Sequence, residues 1–210
     1  MFYLIGGAPR SGKTILSKKL AKETGIPWIS VDTLESIVAT YYSVEDLRLL
    51  FPKTAMRRES GGGNDLMYSR YTDKEIFEAY AQQAKATWKA LEMFVEREER
   101  YAHDYILEGH QIHPELAVRI SDAFPSKVKA VFLGRSDIET IVKSASGYPG
   151  IGDWFTEKTL DAATYPRIAQ MLSLYSDYFK NQADARGFSY FDMDVDFHGQ
   201  LDAAVHFLIK

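Results

Sequence analysis

Apolar and polar positions along the chain follow two rhythms. Five short apolar runs, at residues 2–5, 26–31, 105–109, 127–134 and 188–191, have the length and bounded character of buried strands. Between them lie segments with apolar residues at helical spacing. These predict helices over 15–21, stopping at Gly25, and from Asp32 to about Tyr41, with Asp32 as the cap and Glu35 as its reciprocal partner. A long helix is predicted from Thr72 to about Ala102, capped by Thr72 and Glu75. Its stripe is Ile76, Phe77, Tyr80, Ala84, Trp88, Leu91, Met93, Phe94 and Val95. Further helices are expected after His113-Pro114-Glu115, after the cap Arg135-Ser136-Asp137, over 162–186 and over 201–209. Strands that alternate with helices predict a parallel sheet covered on both faces, a three-layer α/β/α fold. Two stretches break the rhythm. Residues 44–72 hold a polar, glycine-rich segment that predicts a mobile surface insert, and residues 144–160 read as a lid-like loop. With no repeat or linker, residues 1–210 are expected to form one domain.

The first strand runs straight into Gly7-Ala8-Pro9-Arg10-Ser11-Gly12-Lys13-Thr14, and a helix follows. Glycines at its first and sixth positions let the backbone turn with positive φ and approach an anion without a Cβ in the way. The amides that follow point at one anion, and the helix N-terminus adds its positive end. Lys13 supplies a cation for β- and γ-phosphates, and the Thr14 hydroxyl can ligate Mg²⁺. This is the P-loop pattern in its strand–loop–helix context. It predicts a nucleoside triphosphate site over residues 7–14.

Composition narrows the partners. Hydrophobic residues make up 46% and charged residues 26%, as in ordinary globular chains. A formal net charge of -4 disfavours nucleic acid, whose phosphates select a basic face. The absence of cysteine excludes disulfides, thiolate metal sites and thiol nucleophiles. No apolar run approaches membrane-spanning length, and a first strand and P-loop at the start leave no room for a signal peptide, so a cytoplasmic protein is expected.

Outside the P-loop, chemistry concentrates at strand ends. Asp32 closes the second strand, where open α/β sheets bind ligands, and is a candidate to orient or deprotonate an acceptor hydroxyl as well as to cap a helix. Glu108 ends the third strand as the expected second half of a Mg²⁺–phosphate site, and Gly109 after it gives a ligand room. His110 is a candidate substrate contact. The spacing Glu108-x-His110-x-x-His113 is set aside as a metal site, because no third strong ligand is signalled. Arg57, Arg58 and Arg70 in the insert are candidates to clamp an anionic substrate. The acidic run 192–196 reads as solvated.

With the residues of 7–14, the strand-end Asp32, the Glu108-Gly109 pair and a lid-like loop after the fourth strand, the chain resembles the small P-loop kinases, which include adenylate, shikimate and gluconate kinases. Residues 105–114 and the helix over 165–187 are similar to the 2-phosphoglycerate kinase group, and zeta-toxin-like kinases are a more distant comparison. The resemblance implies strand order 2-3-1-4-5, ATP as donor and a small-molecule acceptor. Family lids carry arginines, whereas residues 144–160 hold none. Arg135 and Arg167, with Lys143 or Lys158, are therefore expected to spread the transition-state charge. The expected activity is transfer of the γ-phosphoryl of Mg-ATP to a small molecule. The alternatives are a nucleotide-binding ATPase or regulator with no metabolite acceptor, and a nucleic-acid end kinase that the net charge disfavours.

Overall fold

The structure is a computed structural model that describes residues 1–147 and 153–210. The expected lid at 144–160 falls partly on residues 148–152, outside the described residues.

The chain opens with β1 (Phe2–Gly7) and α1 (Lys13–Thr24), which ends at Gly25 in the left-handed region at φ 74°. Next come β2 (Trp28–Ser30) and α2 (Val31–Ala39). Here the structure corrects the expected cap. The cap position is Ser30, two residues before Asp32, so Asp32 lies in the first turn of α2 and the Glu35 side chain is free to face inward.

The insert is also corrected, because most of it is helical. It contains α3 (Val44–Leu50), α4 (Pro52–Glu59) and α5 (Asn64–Arg70). Ser43 caps α3 by accepting from the Asp46 amide, and Pro52 opens α4 at a position where a missing N–H costs nothing. Glycines end α4, with Gly61 and Gly62 at φ 65° and 84°.

The long helix is two. Helix α6 (Asp73–Ala84), with the predicted Thr72–Glu75 capping box, passes through a 3₁₀ turn at Lys85–Thr87 into α7 (Trp88–Arg100). Met93, expected in its apolar stripe, is exposed. The rest is β3 (Tyr105–Glu108), α8 (Pro114–Ala123), β4 (Val128–Gly134), α9 (Ile138–Gly147), α10 (Trp154–Glu157), α11 (Thr164–Asp184), β5 (Ser189–Asp192) and α12 (Phe197–Ile209).

The strands form one parallel five-stranded sheet in the order β2-β3-β1-β4-β5. Period-2 alternation divides the core between two faces. Phe2, Leu4, Leu107 and Phe132 pack with residues of α6, α8 and α11, while Tyr3, Ile5, Ile106 and Val131 pack with α1 and α12. Register then places chemistry side by side. Glu108 lies opposite Ile5 on β1 and Ser30 on β2, so the P-loop, Glu108 and the start of α2 share the carboxyl edge of the sheet. In this order β1 leads across β3 to β2 and its neighbour β3 leads across β1 to β4, so the connections from these two adjacent strands run in opposite directions, which opens the ligand crevice of such sheets at this point. The acidic run 192–196 is only partly solvated as expected. Asp194 accepts from the Ser136 and Asp137 amides and from Arg135, and Asp196 caps α12. No described helix is long and apolar enough to cross a membrane.

Candidate functional site

The loop after β1 is shaped by its glycines. Gly7 has φ 133°, and a Cβ there would lie 2.0 Å from the Leu133 carbonyl oxygen of β4. Gly12 precedes α1 at φ 96°. Lys13 is buried, and its Nζ donates to the Ala8 carbonyl at 2.7 Å, folding the side chain back over the loop. Desolvation lowers the proton affinity of this ammonium, while Glu108 and Asp32 work to raise it. The Ser11 hydroxyl is buried with no hydrogen-bond partner among the described residues.

Thr14 Oγ1 donates to Glu108 Oε1 at 3.1 Å. Burial raises the Glu108 carboxyl above its ordinary range, with Lys13 and the Thr14 and Ser30 hydroxyls working against that rise. A hydroxyl and a carboxylate side by side form a hard-oxygen donor pair of the kind Mg²⁺ takes, so the residues present fit this ion.

From the loop a cleft of about 640 Å³ extends under the insert. Pro9, Arg10, Lys13, Thr14 and Glu108 line it together with Asp32 and His110. A basic wall of the same cleft carries Lys53, Arg57, Arg58 and Lys158 with Tyr80 and Trp154. The Lys53 ammonium lies 5.1 Å from the centre of the Tyr80 ring, and the Arg57 guanidinium 5.3 Å from that of Trp154. Both cations are held on aromatic faces. Asn64, fully buried at the start of α5, holds this wall together. Its Nδ2 donates to the Trp154 carbonyl and Thr159 Oγ1, and its amide to the Lys158 carbonyl.

Asp32 lines the cleft with its side chain 70% exposed. Partial desolvation raises its carboxyl, but His110, the Gln111 hydrogen bond, Lys13 and Lys53 outweigh that and hold it below the usual carboxylate range. The buried His110 ring lies with Nε2 3.8 Å from Asp32 Oδ1, and burial pushes it down to about 4. His113 is buried deeper, at about 3, between the Tyr175 and Tyr178 hydroxyls.

Of the residues expected in the site, the structure brings the P-loop, Asp32, Glu108, His110, Arg57 and Arg58 to one cleft. Others lie elsewhere. Arg70 donates to the Glu59 carbonyl at 2.5 Å, outside the cleft lining. A Cβ on Gly109 would meet the Gln111 side chain and Val31, so its small size serves protein packing rather than a ligand. Arg135 is paired with Asp194 at 3.1 Å and lies over the Phe197 ring, whose edge faces Gly12. Arg167 donates to the Tyr68 and Tyr71 carbonyls and to Asp73, tying α11 to the α5–α6 junction. Neither of the two expected charge-spreading arginines lines the cleft. Lys143 is exposed beside Glu139, while Lys158 does line it.

Lys53 and Trp154 are cleft residues that the sequence pattern did not place in the site, and Glu35 and Tyr80, read as a cap partner and as core, line it too. Arg10 lines it as its place in the P-loop led one to expect. It adopts φ 62°, its guanidinium donates to Asp153 at 2.5 Å and stacks 4.5 Å from the centre of the Phe155 ring.

No family model matches this chain, and no curated protein does either. Solved structures match over nearly its full length. A sugar kinase from Janibacter superposes with a TM-score of 0.56 at 15% identity, covering 99% of this chain and 93% of that one. A deoxyadenosine kinase from M. mycoides superposes with a TM-score of 0.50 at 13% identity, covering 99% of this chain and 98% of that one. At such identities the likeness is one of fold: the chain has the fold of the small P-loop kinases.

Proposed function

We infer that this protein is a phosphotransferase that moves the γ-phosphoryl of Mg-ATP to a hydroxyl of a small anionic acceptor. One observation carries the reading. One cleft is lined both by Lys13 and Thr14 of the P-loop with the carboxylate of Asp32 and by Lys53, Arg57, Arg58 and Lys158, Glu35 standing beside Lys53. A water-only hydrolase has no use for four cations beyond the reacting centre, whereas an anionic acceptor needs them for binding.

The residues then take these roles. The loop amides and Lys13 bind the phosphates. Thr14 and Glu108 would hold Mg²⁺, which supplies charge neutralisation to the β- and γ-phosphates when bound. Asp32 accepts the proton of the acceptor hydroxyl as its oxygen bonds to Pγ and the bond from Pγ to the bridging oxygen breaks, releasing ADP. Arg57, Arg58 and Lys158 hold the acceptor's anionic group, and Arg10 and Lys13 face the charge that develops on the transferring group. The neighbours' kinase activities agree with this reading through the fold alone.

The test is a thermal-shift screen with Mg²⁺ and a non-hydrolysable ATP analogue against phosphoglycerates, nucleoside monophosphates, sugars and hydroxy acids. Binding to the folded state raises Tm by mass action. One class should add to the shift given by nucleotide alone, and should then be phosphorylated by wild type but not by Lys13→Ala. Stabilisation by nucleotide with nothing further from the panel, together with steady ATP hydrolysis, would move the assignment to an acceptor-free ATPase.

A further inference from the structure

Asp32 is the group this reading asks to meet the acceptor hydroxyl, yet it is mostly exposed, and a free carboxylate samples several rotamers. What fixes it comes from another strand. Gln111 follows β3 and is fully buried. Its Nε2 donates to Asp32 Oδ1 at 2.8 Å and to Glu35 Oε2 at 3.0 Å, so one amide group spans two carboxylates from successive turns of α2. The flip of the amide follows from the network, since two acceptors facing one atom require the NH₂ there.

The arrangement leaves Gln111 Oε1 buried without a partner among the described residues. An orphaned buried acceptor costs stability, so the site retains this amide at a cost that only its donors offset. Glu35 is in turn anchored. Its Oε1 accepts from Gln83 Nε2 at 2.6 Å and lies 3.4 Å from Lys53 Nζ, while Gln83 Oε1 accepts the Thr54 amide at 3.0 Å. The Gln111 backbone is pinned as well, because its carbonyl accepts from Trp88 Nε1 at 2.9 Å.

We propose that Gln111 is a positioning residue for phosphoryl transfer: its buried amide, seated on Glu35, locks one oxygen of Asp32 and leaves the other aimed into the cleft. The proposal rests on the reading of Asp32 as the acceptor-facing carboxylate. The same network seats Lys53, an acceptor-wall cation, on the far side of Glu35, so the base and one binding cation share a common support.

The test compares wild type, Gln111→Met and Asp32→Asn. Protein labelled with ¹³C at aspartate Cγ gives the Asp32 signal by its absence in Asp32→Asn. In wild type this signal should stand apart from the solvent-exposed aspartates, and in Gln111→Met it should collapse into their range. Steady hydrolysis of Mg-ATP, with water in the acceptor's place, gives the kinetic arm. Gln111→Met should lower kcat about tenfold with KM for ATP within twofold, and should add little in an Asp32→Asn background.

Where Gln111→Met melts below the assay temperature, Gln111→Asn replaces it, since it keeps a buried amide but loses the reach. An unmoved Asp32 signal, or a Gln111 variant with wild-type kcat, overturns the proposal. Asp32→Asn with full hydrolysis and full transfer overturns the parent reading instead. The Cγ arm still reports whether Gln111 holds the carboxylate.

Discussion

At the scale of single residues, the P-loop glycines are not equivalent. A side chain on Gly7 would collide with the backbone of β4, which is fixed by its pairing to β1, and the residue sits at φ 133°. A side chain on Gly12 would meet the Phe197 ring edge at 3.0 Å, which can tilt away at small cost. Gly7→Ala is therefore expected to destabilise the fold by about 3 kcal/mol or more, and Gly12→Ala by clearly less. Urea melts of both variants measure the order, and equal losses would contradict this account of the loop. Asp32 makes a different residue-scale prediction. Asp32→Ala removes a proton acceptor that no bound nucleotide needs, so turnover should fall roughly 10²- to 10⁴-fold with little change in ATP affinity. Parallel losses in kcat and nucleotide binding would reduce Asp32 to a structural residue of α2.

At the scale of elements, the structure separates arginines that look alike in sequence. Arg167 serves a junction, joining α11 to the turn between α5 and α6 through two carbonyls and Asp73, whereas Arg57 stands on α4 in the cleft wall. Arg167→Ala should cost about 2 kcal/mol of stability, as lost charged hydrogen bonds do, and leave acceptor KM within a few-fold. Arg57→Ala should leave Tm nearly unchanged and raise acceptor KM at least tenfold. Denaturation and steady-state kinetics on the pair decide it, and exchanged phenotypes would reverse the assignment. The sheet, its order and the P-loop were legible because strand length, helical period and loop glycines are local signals. The helices of the insert were hidden by its glycines and charges, although Ser43 and Pro52 carried start signals. Of the cleft wall, Arg57, Arg58 and Lys158 were named but their convergence with Lys53 was out of reach for a different reason. The buried Asn64 fastens α5 to Thr159 after α10, a contact across 95 residues that no local pattern records. For the same reason Arg135 and Arg167 read as free cations, since Asp194 and Asp73 are their partners only in three dimensions.

At the scale of the whole molecule, the sheet edge that assembles the cleft also encloses two histidines, and this couples folding to pH. His110 and His113 are held neutral by burial, at about 4 and about 3, against 6.5 for an exposed ring. Between pH 6.5 and 4 the unfolded chain therefore binds protons that the folded chain refuses, and stability falls as pH falls. From pH 7 to pH 5 each ring contributes a loss of about 2 kcal/mol. Asp32, depressed in the fold, adds a loss of the same sign further down as pH passes through the carboxylate range, while the raised Glu108 carboxyl works in the opposite direction there. His113 isolates the effect because it lies outside the cleft lining and both its ring nitrogens are met by tyrosine hydroxyls. His113→Gln should be less stable than wild type at pH 7, having lost those contacts, yet should lose about 2 kcal/mol less on going to pH 5. Urea melts at the two pH values measure both quantities in one series. A variant whose pH dependence matches wild type would mean that His113 takes up its proton between pH 7 and pH 5 in the fold as it does in the unfolded chain, so that the buried His113–Tyr175–Tyr178 cluster is charged at pH 5 rather than a neutral hydrogen-bonded chain.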